Sequence, residues 1–111
     1  MGYRTEFEGC FKISPPLDED LLEELWEFCS LRHNADAGMP SVWCDWDFNR
    51  YEMFWNGSEK PYKMVEWANL IDGMFLEGHT LTGEIRARGE KFDDVWTMVA
   101  DGGVRRVKGW K

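Results

Sequence analysis

The chain has no apolar run approaching the roughly 18 residues that a membrane-crossing helix needs, so no membrane span is expected. It also lacks a C-x-x-C pair, and its three cysteines, Cys10, Cys29 and Cys44, are an odd number without framework spacing. A disulfide scaffold is therefore not expected, and the thiols read as reduced. Met1 to Lys12 mixes charges with aromatics and lacks the apolar core of roughly 7–15 residues found in secretory signals, which points to a cytoplasmic protein. Positive charge is scarce: 13 Lys+Arg stand against 21 Asp+Glu, a formal net charge of −8. That balance argues against direct binding of nucleic acid or anionic lipid through a net positive field. No P-loop, dinucleotide fingerprint or G-x-S-x-G is present, nor any internal repeat or low-complexity segment. What is abundant is aromatic: 7 Trp, 7 Phe and 3 Tyr in 111 residues, the mixture of one globular domain spanning residues 1–111.

Hydropathy alternates with period two from Tyr3 to Ile13, which predicts a strand with one buried face. Ser14-Pro15-Pro16 ends it, because proline donates no backbone hydrogen bond. A helix follows over about residues 18–31: Leu21, Leu22, Leu25, Phe28 and Cys29 share one side, and Asp18, Glu19 and Asp20 favour the positive end of the helix dipole. Residues 32–41 carry no periodicity and contain Gly38 and Pro40, so they read as a loop. Val42 to Phe48 and Tyr51 to Trp55 then read as a hairpin through Asn49-Arg50. A second helix is expected over about residues 60–76, capped by Ser58, with Met64, Trp67, Ala68, Ile71 and Phe75 as its apolar stripe. Leu81 to Arg88, Val95 to Ala100 and Val104 to Lys108 complete a β-rich end, the last two joined at Asp101-Gly102-Gly103. The order β-α-β-β-α-β-β-β predicts an α+β fold, two helices packed on one face of a mainly antiparallel five- or six-stranded sheet.

Trp55-Asn-Gly-Ser-Glu-Lys-Pro-Tyr62, Val65-Glu-Trp67, Leu70-Ile71, Leu81-Thr-Gly-Glu84 and Arg88-Gly-Glu90 form a spaced set of motifs. With them the chain resembles, over about residues 43–107, a group of small uncharacterised proteins common in bacteriophages, prophages and bacteria. Pro61 stands where that group has an aromatic, and Arg88 where it has glutamine. The resemblance implies a phage-type origin and a shared fold; it implies no particular activity.

Six carboxylates fall within residues 18–27, with no basic residue between Lys12 and Arg32. Asp20, Glu23, Glu24 and Glu27 could imitate a row of phosphates and steer a partner with a basic surface, such as a host protein that is modulated or inhibited. The same residues would equally form a solvated helix face. Trp43, Asp45 and Asp47 share parity and are expected on one strand face, an aromatic flanked by carboxylates that suits a contact surface.

Charge is also divided along the chain: residues 86–111 hold 7 basic and 4 acidic residues, residues 1–85 hold 6 and 17. Arg86, Arg88, Arg105 and Arg106 could therefore form one basic patch beside a tryptophan, an alternative site for a nucleotide or other small ligand. The bland reading is a charged sheet edge that resists aggregation. Catalytic signals are weak. Cys29 and His33 sit i,i+4, yet Cys10, Cys44 and His79 supply no recognised further ligand spacing, so no metal and no cofactor are expected. Glu84, Glu90, Asp93 and Asp94 gather near one predicted hairpin and could offer paired carboxylates, though turn carboxylates are ordinarily just solvated. The sequence reads as a non-enzymatic binding protein.

Overall fold

The computed structural model describes residues 4–33, 37–91 and 93–109. Tyr3, at the start of the expected first strand, and residues 34–36 of the expected loop over residues 32–41 lie outside them. Seven strands and two helices follow in the order β1 (Thr5–Gly9), β2 (Phe11–Ser14), α1 (Glu19–Ser30), β3 (Trp46–Phe48), β4 (Glu52–Trp55), α2 (Met64–Phe75), β5 (Thr80–Gly89), β6 (Val95–Asp101) and β7 (Val104–Lys108). The expected α+β class is what forms, with one strand more than expected because the first strand is split in two.

The strands form one antiparallel sheet in the order β3-β4-β2-β5-β6-β7, with β1 also on β5. β1 and β2 share a single register against β5, Gly9 facing Ile85 and Lys12 facing Thr82, so the alternation read from sequence runs straight through the break. The break itself is a close approach of backbones. Gly9 has φ +109° and Gly83 φ +117°; a Cβ on Gly9 would lie 3.0 Å from the Glu84 carbonyl oxygen. β4 pairs with β2 through Phe11–Met53 and Lys12–Glu52 and ends at Trp55, which leaves the outer edge of β1 without a neighbouring strand among the described residues.

On β5 the odd residues Leu81, Ile85, Ala87 and Gly89 are buried and the even ones exposed, the alternation of a half-buried strand. Leu22 and Leu25 from α1 and Met64, Trp67, Ala68 and Ile71 from α2 join Phe11, Ile13, Trp46, Met53, Ile85, Met98 and Val104 in one apolar cluster. Two tryptophans are satisfied as they bury: Trp46 Nε1 donates to the Met64 carbonyl at 2.9 Å and Trp67 Nε1 to Ser41 Oγ at 2.8 Å. The Asn69 amide ties α2 to the final hairpin, donating to the Val104 carbonyl and accepting from its N–H, both at 2.8 Å.

α1 starts one residue later than expected, at Glu19, and Asp18 caps it, its Oδ1 accepting from Leu21 N at 2.8 Å. α2 starts four residues later than expected. Lys63 adopts a left-handed conformation, φ 57°, which diverts the chain from a helical path, and Ser58 does not cap the helix. Ser58 is instead held in an Asx turn by Asn56 Oδ1 and accepts from Trp55 Nε1. The β3–β4 turn is centred one residue later than expected, on Arg50-Tyr51, because Asn49 Oδ1 takes the Tyr51 N–H and Asn49 N donates to the Glu52 carbonyl.

Candidate functional site

α1 buries Leu22 and Leu25 and turns Glu19, Asp20, Glu23, Glu24 and Glu27 outward, where all five are exposed. Among the described residues none of these carboxylates is in an ion pair. Trp26 borders the row and is 47% exposed, a large fraction for an indole. It is nonetheless fixed, since its Nε1 donates to the Phe48 carbonyl at 2.8 Å. Tyr51, at the neighbouring turn, is 57% exposed. Trp26 was not among the expected contact residues; the signal was its position at the edge of the acidic face, three residues after Glu23.

The expected Trp43, Asp45 and Asp47 face does not form. β3 begins only at Trp46, so residues 43–45 are not held to strand alternation. Trp43 is exposed, Asp47 half-buried, and Asp45 is buried with 8% of its surface accessible. Asp45 turns inward because the segment after β4 returns over it: its Oδ2 accepts the Tyr62 N–H at 3.1 Å, and its carbonyl accepts from Asn56 N. Asp45 is therefore an internal strut of the 56–62 segment and not a contact residue.

Burial raises the proton affinity of the Asp45 carboxyl above its ordinary value, the bond from Tyr62 only partly opposing this. The folded state then binds that proton more tightly than the unfolded chain, so this group favours folding most at low pH and loses that contribution as pH rises through its folded pKa. Asp45→Asn keeps an acceptor for Tyr62 without the charge; at neutral pH it is expected to be at least as stable as the parent. Asp45→Ala, which strands a part-buried N–H, is expected to lose about 1–3 kcal/mol. Urea denaturation of both variants at pH 5 and pH 7 checks the pair of effects.

The four arginines of the alternative site are not brought together. Arg86, Arg88 and Arg105 lie on the sheet face away from the helices, Arg86 opposite Glu8 and Arg88 opposite Glu6 in the register, and Arg105 paired with Asp101 at 2.9 Å. Arg106 lies on the other face, since consecutive strand residues point to opposite sides. There its guanidinium covers the Trp96 ring, 4.2 Å from the centroid. Trp96 and Arg106 line a groove of about 700 Å³ with Phe7, Pro61, Tyr62, Lys60, Lys63, Glu66 and Asp94 among its walls. A smaller slot of about 370 Å³ runs beside the unpaired edge of β1, between Arg4, Thr5, Glu6 and the 57–59 segment. Residues of the 55–59 segment wall the slot and residues 60–66 wall the groove.

The remaining chemistry-bearing residues do not assemble into a metal site among the described residues. Cys29 and Cys44 approach to 3.4 Å between sulfurs, and the hydrogen bond they share, with burial, pushes the Cys29 thiol up, which disfavours a nucleophilic thiolate there. His33 Nε2 lies 2.7 Å from the Phe28 carbonyl, its ring against Trp67 and Phe28. Among the described residues no three His, Cys, Asp or Glu side chains are grouped to hold a metal. Glu84 and Glu90 are six residues apart along or just past β5, roughly 20 Å at strand rise, so they do not form a carboxylate pair. Glu90 accepts from Arg4 N at 2.9 Å. No helix among the described residues is long and apolar enough to cross a membrane. Comparison finds no matching family model, no matching curated protein and no matching solved structure.

Proposed function

We propose that this chain is a non-enzymatic binding protein that docks on a basic protein surface through α1, as a phage-type accessory factor modulating or inhibiting a host protein. The observation that carries this reading is the α1 face: five exposed carboxylates free of ion pairs among the described residues, bordered by an exposed but fixed Trp26. Carboxylates already paired within the chain would have to exchange partners on docking; these do not. Unpaired charges of one sign concentrate field on one face and accelerate encounter with an opposite surface. A tryptophan pinned at the rim adds a contact that needs little further ordering, the kind of residue in which binding energy concentrates. The row of negative charge also supports imitation of a nucleic-acid backbone before a nuclease or other DNA-binding host protein. The family resemblance supports the phage-type setting.

The test begins with capture of partners from a bacterial lysate on the immobilised chain and their identification by mass spectrometry. With the captured protein in hand, reversal of Glu23, Glu24 and Glu27 to lysine is expected to slow association about tenfold or more at low salt and to flatten its salt dependence. Exposed substitutions of this kind cost within about 0.5 kcal/mol each, so the fold should survive, as circular dichroism would show. Association of the triple variant at the parental rate would mean that the α1 face is only solvated.

A further inference from the structure

The groove walled by Phe7, Trp96, Arg106 and residues 60–66 is not used by the α1 reading. In the sheet order α1 packs at the β3 side and Arg106 lies on β7, five strand spacings away, or roughly 24 Å. We propose that this groove binds a small planar aromatic anion, a ring bearing a phosphate or a carboxylate.

Three features argue for that chemistry. The volume, about 700 Å³, falls in the range of small-molecule sites. Its walls are mostly rings and apolar carbons: Phe7 and Trp96 meet edge to face at 5.7 Å between centroids, and Tyr62, 62% exposed, lines it as well. Arg106 covers one face of Trp96 and Lys63 Nζ lies 5.4 Å from the Tyr62 centroid, so a flat ring would lie against the apolar edges and the faces left open. The third feature is charge. Arg106 has no carboxylate partner among the described residues; its guanidinium is held only by the Trp96 face. A cation–π contact orients an arginine without using its N–H fork, which stays available for two parallel bonds to an oxyanion.

Lys60 supplies a second cation without an ion-pair partner among the described residues. Two acids also line the groove. Glu66 is answered by Lys63 at 3.6 Å, and Asp94 is the other, so the three cations exceed the carboxylates by one. On a chain of net charge −8 that local excess favours an anion over a cation. An arginine that merely shields Trp96 would show the same stacking, and the experiment must separate the two.

The full chain would be titrated by calorimetry with adenosine monophosphate and with benzoate, the two sources of this chemistry, and with adenosine and inorganic phosphate as half-ligands. At least one of the first two is expected to bind with Kd below about 1 mM, and each half-ligand at least about tenfold more weakly. Which of the two binds assigns the anion as phosphate or carboxylate. Arg106→Gln is expected to weaken binding about tenfold, and Lys60→Gln to weaken it less. Arg105→Gln, on the opposite face, should leave binding unchanged. Failure of both aromatic anions to bind, equal binding of phosphate alone, or parental affinity in a folded Arg106→Gln variant would each overturn the proposal.

Discussion

Trp67→Ala is expected to lower stability by about 3–5 kcal/mol, roughly a hundredfold to several thousandfold in the folding equilibrium. The indole is fully buried in α2 and joins three parts of the chain. It meets Phe28 of α1 edge to face, with centroids 6.0 Å apart, and the His33 ring at 5.0 Å. Its Nε1 bonds Ser41 Oγ in the segment before β3. Truncation opens a cavity at this junction, and a cavity among three separate elements closes poorly because each is held elsewhere. Trp67→Phe keeps most of the ring and loses the Ser41 bond, so it should cost clearly less. Urea midpoints for the three proteins, at an unchanged slope, would give the order parent, phenylalanine, alanine. Equal stability of parent and alanine variant would mean that α1 and α2 do not pack as described.

Over α1 and β5 to β7 periodicity was a sufficient guide, but residues 42–45 alternate just as regularly and form no strand. β5 through β7 form where alternation and the Asp101-Gly102-Gly103 turn require, and α1 follows its apolar stripe. Several features escaped, three of them for identifiable physical reasons. The β1–β2 split leaves the register unchanged, so alternation carries no mark of it. The start of α2 depends on one left-handed residue, Lys63, a type with no intrinsic bias toward that conformation. Asp45 is buried by the return of residues 56–62, a tertiary event that local pattern does not encode.

The arginines teach a different lesson. Arg105 and Arg106 are adjacent, and period two alone divides them between faces once the β7 strand is accepted. The groove, by contrast, draws on β1, β6, β7 and the segment before α2, and no spacing in the sequence announces such a meeting.

That meeting depends on how β1 crosses β5, and a graded glycine series tests it. Gly9→Ala is expected to be strongly destabilising, for two separable reasons. At φ +109° an L side chain is strained, which costs about 1–3 kcal/mol by itself. Its Cβ would also lie 3.0 Å from the Glu84 carbonyl oxygen, a backbone atom that can retreat only if β1 and β5 separate. Gly78→Ala isolates the first effect, since φ is +85° there and nothing lies within 4 Å of the added carbon. Gly73→Ala isolates neither: it sits inside α2 with open space around it, and the better helix former should stabilise by about 0.5–1 kcal/mol. The expected order of melting temperatures is Gly73→Ala above the parent, Gly78→Ala below it and Gly9→Ala lowest. Were Gly9→Ala no worse than Gly78→Ala, the two backbones would not be in contact at the split. The edge of β1 would then be free to move, and with it the wall that Phe7 lends to the groove.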